Sequence, residues 1–464
     1  MILAAATVRL ALRESISSPS RLAWFIVILT VPFGGFAAYL MLSETLLSRE
    51  LRSRHAALTN DIRALTGPAS DSLIATLSAD NRPPFRIGAS INGFPPVAGN
   101  RARLLPDAEA TRQAILTDID AATESVSLLY YIWLTDRTGT DIARALIRAA
   151  RRGVTCRVMA DYLGSRTLLK SPLWAEMAQA GVETRIAMPP ETVLGLPVLT
   201  RLDLRNHRKI TLIDGRIAYA GSQNCADPEF APKRKYGPWI DLMLRLEGPV
   251  VNQITLIFAG DWCLAGPGSP ADFPLVAAPH PGGFIAQARA TGPLERPDSA
   301  PQMFCTLFER AQDELIVSTP YFVPDAPVLM ALKSAARRGA RVSLILPRRN
   351  DSPVVQAASR GNYHTLLRAG VRLFEHGPGL LHAKTLTIDG ELAFLGSSNL
   401  DMRSFDLNFE SDILLHDPAT AQAIRARQQA YIAQSDEVTL DSVRAWPAPR
   451  RAWNNLVATL GPVL

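Results

Sequence analysis

Cysteine is scarce in this chain and scattered where it occurs. Cys156, Cys225, Cys263 and Cys305 form no CxxC pair and have no histidine at metal-ligand spacing. Nothing in their spacing calls for a disulfide framework, a zinc site or an oxidising compartment, and the catalytic part reads as facing a reducing cytoplasm with no metal or other cofactor. Charge is also missing from one long run. Leu22 to Leu42, LAWFIVILTVPFGGFAAYLML, holds 21 residues without a charged side chain, long enough as one helix to cross a hydrocarbon core of ~30 Å. It is too long for a typical signal core, and no small-residue cleavage site is clear, so it is expected to be a transmembrane helix. Trp24 and Tyr39 would anchor its ends at the two interfaces, and Pro32 with Gly34-Gly35 would kink it.

Around that run the composition is basic and apolar. The net charge is +6 and 47% of residues are hydrophobic, with pI near 9.3 and mean hydropathy +0.07. The positive charge is carried by arginine far more than lysine, which suits anionic phospholipid, a membrane surface or nucleic acid, without choosing among them. Within the N-terminal segment, residues 1–21, MILAAATVRLAL is apolar but only twelve residues long and interrupted by Arg9, too short to span, and the segment reads as interfacial or as a truncated first span. Arginines flank Leu22–Leu42 on both sides, so the positive-inside rule gives no topology. Glu44 to Leu65 reads as a charged amphipathic helix leading from the membrane or lying on it, and Gly67 to Gly99 as a connector.

What the chain has in full is a duplicated pattern. NHRKITLIDGRIAYAGSQN (Asn206–Asn224) returns as LHAKTLTIDGELAFLGSSN (Leu381–Asn399). His207, Lys209, Asp214, Gly221, Ser222 and Asn224 match His382, Lys384, Asp389, Gly396, Ser397 and Asn399 at one offset, 382 − 207 = 175. Alternation predicts a strand that sends His and Lys to one face, a tight turn at Asp-Gly, and a return strand that brings Ser and Asn back toward the histidine. Imidazole serves as nucleophile or acid/base, lysine supplies a point charge for phosphate, and asparagine a neutral donor. Two such sets facing each other would bind one phosphodiester and supply both nucleophile and acid.

The same order of strands and helices flanks each signature. AARRG occurs at Ala149–Gly153 and again at Ala335–Gly339, and QAGV (Gln179–Val182) is answered by RAGV (Arg368–Val371). This predicts α/β architecture in two tandem domains, residues 100–264 and 284–464, each with helices over a mixed sheet, joined by a Pro/Gly linker over 265–283. Before them lie an N-terminal segment (1–21), the membrane run (22–42), and a helix and connector (43–99). A Pro-rich loop, Pro189 to Leu204, precedes the first signature. Asp241 and Glu410 each stand eight residues before a proline, on what reads as a strand after the signature. A carboxylate there could bond the non-reacting nitrogen of an active-site imidazole. Asp214 and Asp389 each precede a glycine, where a turn residue is expected on local grounds alone.

The duplicated HxKxxxxD followed by GSxN resembles the phospholipase D superfamily, over Asn100 to about Asp417. Within it the chain is most similar to bacterial cardiolipin synthases, in STPYFVPD (Ser318–Asp325), GLLHAKT (Gly379–Thr385) and SNLDMRSFDLNFE (Ser398–Glu410). The resemblance implies His207, Lys209, Asp214, His382, Lys384 and Asp389 as the catalytic set and a phosphohistidine intermediate, with His207 the nucleophile and His382 the acid/base. Ser222, Asn224, Ser397 and Asn399 would support the phosphate, and Asp241 and Glu410 would orient the histidines. It implies cardiolipin made from two phosphatidylglycerol molecules with release of glycerol. Phosphatidylglycerol, other anionic phospholipids and the bacterial inner membrane are then the partners, with the catalytic domains on the cytoplasmic side and no nucleic acid. A hydrolytic phospholipase D would use the same residues with water as acceptor. A nuclease of the superfamily would need a long basic groove with stacking aromatics.

Overall fold

In the computed structural model, residues 2–12, 18–42, 49–66, 71–189, 192–193, 196–197 and 204–459 are described. Most of the predicted Pro189–Leu204 loop lies outside them. The first half contributes strands β1 (Val97–Leu104), β2 (Ser125–Tyr130), β3 (Thr155–Asp161), β4 (Glu183–Ala187), β5 (Lys209–Ile213), β6 (Ile217–Gly221) and β7 (Met243–Glu247). The second contributes β8 (Phe284–Thr291), β9 (Glu314–Ser318), β10 (Arg341–Pro347), β11 (Arg372–His376), β12 (Thr385–Ile388), β13 (Leu392–Gly396), β14 (Asn408–His416) and β15 (Ser435–Val438).

The first half is ordered β4-β3-β2-β5-β6-β7-β1 and the second β15-β11-β10-β9-β12-β13-β14-β8. Apart from the edge strand β15 the two orders are the same, and β1 joins β8 antiparallel to make one continuous sheet of these fifteen strands, with the short strand Arg205–Asn206 pairing with β14 as a sixteenth among the described residues. In each half three strands run parallel and the signature hairpin joins them antiparallel, the mixed sheet expected from the sequence. Parallel strands need helical crossovers, which Arg137–Arg151 and Ala326–Arg337 supply. Ile142, Leu146 and Ala149 point inward from the first of these, and Val328, Leu332 and Ala335 from the second. At the seam, helix Val250–Ala265 is buried nearly all round, so it carries no polar stripe.

Three expectations about the N-terminal hundred residues change. The charge-free run is not one helix: it forms α2 (Ser18–Thr30) and α3 (Pro32–Leu42), after α1 (Ile2–Ala11). Proline at 32 cannot donate to the preceding turn, and there the chain folds back instead of kinking. The rings of Trp24 and Tyr39, expected at opposite interfaces, lie 5.5 Å apart, where one straight helix would hold them ~22 Å apart. Among the described residues no helix is long and apolar enough to cross a membrane.

The amphipathic stretch forms α4 (Arg49–Thr66), but its apolar side faces protein. Leu58 is buried, Ile62 joins the same core, and Arg54 donates to the Cys263 carbonyl at 2.6 Å on helix Val250–Ala265. The predicted connector holds two more helices, α5 (Asp71–Thr76) and α6 (Arg82–Asn92). Phe85, Gly88 and Ile91 form the inward stripe of α6, a spacing obscured by the prolines and asparagines around it. Its Asn92 side chain accepts from Ala290 N at 2.7 Å, tying this segment to β8 of the second half.

Candidate active site

Both signatures fold as the hairpin their alternation predicted, β5–β6 and β12–β13. The glycine of each GSxN is required by close approach. A Cβ at Gly221 would stand 2.2 Å from the Leu242 carbonyl oxygen, and at Gly396 2.3 Å from that of Ser411. With glycine there, the next residue reaches the neighbouring strand, where Ser222 Oγ donates to Asp241 Oδ1 at 2.7 Å.

The carboxylates are exchanged between halves. His207 Nδ1 bonds Glu410 at 2.9 Å, and His382 Nδ1 bonds Asp241 at 2.6 Å. Two short parallel pairings impose this. Arg205–Asn206 runs beside Asn408–Phe409, and Trp239–Ile240 beside Leu380–Leu381. In both, the next residue on one strand is a histidine and on the other its acid: 207 against 410, 382 against 241. The histidine N–H groups continue the ladders, donating to the carbonyls of Phe409 at 2.9 Å and Ile240 at 2.8 Å. Asp241 and Glu410 are thus brought to the histidines as their repeated position suggested, each to the histidine of the opposite half.

The two histidines and two lysines of the signatures are all buried. Burial outweighs the pull of Glu410 and pushes the His207 imidazole down to about 4. It also lowers His382, with Lys384 adding to it. Both rings are therefore neutral at pH 7, and the Nδ1–H donated to a carboxylate leaves the lone pair on Nε2. The carboxylates are held below their ordinary values, because the paired histidine and the nearby lysine, with hydrogen bonds, offset the cost of burial. Lys209 is pushed down to about 7 and Lys384 to about 8 by burial, each opposed by both Asp241 and Glu410. Lys384 of one half lowers His207 of the other, and Lys209 lowers His382, so the two sets share one space. A lone buried ammonium would be strongly disfavoured; here each lysine also donates to the carbonyl of its own histidine.

Asn224 and Asn399 are buried beside these groups, Asn224 Oδ1 accepting from Ile132 N at 3.3 Å. Ser397 Oγ bonds the Ser411 backbone and also lowers Glu410. Asp214 and Asp389 depart from the catalytic grouping. Each lies seven residues past its histidine, ~23 Å along an extended strand, at φ +50° and +52° in the turn. Asp214 accepts from the backbone N–H groups of Thr123, Glu124 and Ser125, and Asp389 from those of Gln312, Asp313 and Glu314. Their work is to tie the hairpin turn to the start of the next strand.

Other groups at the site escaped the sequence reading. The Tyr131 ring stands 4.9 Å from His207, and Trp239 4.5 Å and Tyr321 6.5 Å from His382. Ser404 Oγ and Asn408 Nδ2 donate to Glu410 at 2.9 and 3.1 Å. Buried Arg208 bonds the Glu410 carbonyl at 3.0 Å and pairs with Asp261. Arg208 occupies the variable position of HxK, and the matching residue is Ala383, so no repeat signalled it. Of the aromatics only Trp239 had a signal, standing two residues before Asp241.

The family model described as "Cardiolipin synthase, PLD-like domain" matches residues 115–262 and 304–431, and one described as "Phospholipase D-nuclease N-terminal" matches 1–44. Cardiolipin synthase A of Serratia proteamaculans is 36% identical over 99% of this chain and 95% of its own length, and that of Klebsiella pneumoniae 35% over the same shares. The chain belongs to the cardiolipin synthase family. It is an enzyme of the phospholipase D superfamily, built on two tandem phospholipase D-like halves, with phospholipid as its substrate class. Among solved structures, phosphatidylserine synthase of Haemophilus influenzae superposes with a TM-score of 0.61 at 16% identity, over 82% of this chain and all of the other. A polyphosphate kinase of Porphyromonas gingivalis superposes at 0.50 and 15% identity, over 74% and 49%. At such identities these two show the fold alone. The cardiolipin synthase relationship spans the exchanged histidine–carboxylate pairs, from His207 to Glu410.

Proposed function

We propose that the chain is a membrane-bound phosphatidyltransferase that makes cardiolipin from two phosphatidylglycerol molecules and releases glycerol. The observation that carries this is the pair of neutral histidines, each with Nδ1 fixed by a carboxylate and Nε2 on the side away from it, beside two buried lysines. In the first step His207 Nε2 attacks the donor phosphorus. The bond from phosphorus to the glycerol oxygen breaks, and that oxygen takes a proton through His382 Nε2 from Lys384 Nζ, 3.0 Å behind it, leaving a neutral Lys384 and a phosphatidyl-histidine whose positive ring is balanced by Glu410. In the second step a hydroxyl of the acceptor gives its proton through His382 Nε2 back to Lys384 and attacks the same phosphorus. The P–N bond breaks, cardiolipin leaves, and both histidines are restored.

Lys384 Nζ lies 3.0 Å from His382 Nε2 and donates to it. Among the described residues no such bond reaches His207 Nε2, which supports His207 as nucleophile. Lys209, Lys384, Asn224 and Asn399 would hold the non-bridging oxygens as charge develops on them. Ser222 and Ser397 act one step back, through the carboxylates.

We place the domains at 100–264 and 284–464 with the linker at 265–283, a division the repeated strand order supports. We place the enzyme at the bacterial inner membrane with both halves on the cytoplasmic side. The N-terminal segment would anchor it, a reading supported by exposed Leu29 and Phe33 on α2 and α3. The test is product analysis of the purified full chain with labelled phosphatidylglycerol in vesicles. Cardiolipin plus glycerol is expected; phosphatidic acid plus glycerol would replace the acceptor lipid with water, and no turnover of lipid would sink the reading.

A further inference from the structure

Among the described residues between 97 and 459 seven large apolar side chains are exposed: Tyr162, Leu163, Val276, Met330, Val354, Trp453 and Leu456. Five of these seven, all but Val276 and Met330, belong to segments at the end of the sheet that carries the histidines. Tyr162 and Leu163 follow β3, in the turn where Ser165 Oγ donates to the Tyr131 carbonyl at 2.9 Å; the Tyr131 ring is the one against His207. On the other half, Val354 opens helix Pro353–Gly361, which starts just after Asp351. Asp351 accepts from the hydroxyl of Tyr321, beside His382.

Helix Ala448–Thr459 packs on that same element through Val457, in a cluster with Val323, Ala357 and Ala358. Its inward face is Asn454 and Val457. Trp453 and Leu456, three apart and on one outward stripe, remain 55% and 60% exposed. A monomeric soluble surface seldom leaves a tryptophan and a leucine uncovered side by side on one helix. Basic residues accompany them. Arg450 and Arg451 are exposed on this helix, and Lys233, Arg234 and Lys235 form an exposed run whose first member pairs with Asp351 at 2.6 Å.

We propose that this rim is a docking surface for an anionic lipid bilayer, with Leu163 on one side and Trp453 and Leu456 on the other entering the headgroup boundary. Large apolar and aromatic tips flanked by lysine and arginine are the chemistry of interfacial binding, and the positive charge selects an anionic leaflet over a protein partner. Docking in this pose turns both histidines toward the leaflet, so that donor and acceptor phosphodiesters reach them while their acyl chains stay in the membrane. The inference rests on the lipid reading of the site and adds to it a second membrane contact, separate from residues 1–42.

The test compares the full chain with L163S/W453S/L456S on two substrates: vesicles of long-chain phosphatidylglycerol in phosphatidylcholine, and dihexanoyl phosphatidylglycerol below its micelle concentration. Loss of about ten-fold is expected on vesicles, the scale of withdrawing these side chains from an interface, with monomeric-substrate turnover kept within about two-fold. M330S, exposed but away from the rim, should change neither. Equal loss on both substrates, or no loss on vesicles, overturns the proposal. So does a change of mass by light scattering in detergent without a vesicle-specific defect, which would make the rim a contact between two copies. If the wild type turns over neither substrate, the lipid reading itself fails, and the docking surface with it.

Discussion

The two halves build their histidines alike and surround them differently. In both, a short parallel pairing sets a histidine against a carboxylate of the opposite half, one residue past the last paired position. Around Glu410 gather Ser404, Asn408 and the neighbouring Arg208, whereas Asp241 has Ser222. Lys384 bonds the reactive nitrogen of its histidine, while Lys209 bonds a carbonyl. Duplication therefore accounts for the frame, and departures from it divide the labour: a braced, open imidazole in the first half and a proton-linked one in the second. The exchange also means that neither half holds a finished site.

The harshest way to break the comparison is to remove each histidine. His207→Ala and His382→Ala should each cost about 10⁴-fold or more in lipid turnover, since residues that act as a unit fail together. An activated p-nitrophenyl phosphatidyl ester then separates them, because its leaving group needs no acid. The His382→Ala enzyme should release one equivalent of nitrophenol and retain labelled lipid; His207→Ala should do neither. A burst from His207→Ala alone would reverse the assignment.

Removing the braces is gentler and tests the exchange. Glu410→Gln and Asp241→Asn should each lower turnover between about 10²- and 10⁴-fold by disturbing tautomer and ring charge. With the nitrophenyl ester, Glu410→Gln should slow the burst, and Asp241→Asn should leave its rate nearly intact while slowing the second step. The opposite pattern would mean that each carboxylate serves the histidine of its own half.

A smaller effect follows from the lysines. Burial lowers Lys209 to about 7 and Lys384 to about 8, so their charged forms are lost earlier than usual as pH rises. If the ammonium forms hold phosphate, kcat/KM of the free enzyme should decline from about pH 7 upward. Lys209→Arg, charged throughout, should lower the maximum by about ten-fold yet move the start of that decline toward Lys384's range. An unmoved limb would assign the ionisation to another group.

Much of this was legible because repetition is itself a measurement. Six positions kept at one offset exposed the site, and alternation within each signature exposed its hairpin. Position alone also pointed to Asp241 and Glu410. What stayed hidden is what lies across space: which acid meets which histidine depends on the 205–206 and 239–240 pairings, two residues long and without a propensity signal. Arg208 was hidden for the opposite reason, standing at a position the second signature fills with Ala383. Charge and length make the charge-free run read as one helix, whereas proline at 32 divides it into two that fold back on each other. In α6 an inward stripe of three residues was masked by turn-formers.

Asp214 and Asp389 give the finest comparison, since motif and structure assign them differently. Each accepts three backbone N–H groups, exposed or half-buried, so Asp→Ala should remove three charge-assisted bonds and cost about 2 kcal/mol at 214. At 389 the cost should rise to about 3 kcal/mol, because Arg310, itself buried, loses a 2.7 Å contact there and is left with Glu391 and Asn81 among the described residues. Asp→Asn should be milder at both, as asparagine tolerates positive φ. Urea unfolding in detergent measures the order, and turnover per folded molecule should stay near wild type in all four. A drop of 10³-fold in a folded Asp214 variant would return that carboxylate to the chemistry and require the hairpin to transmit it ~23 Å to His207.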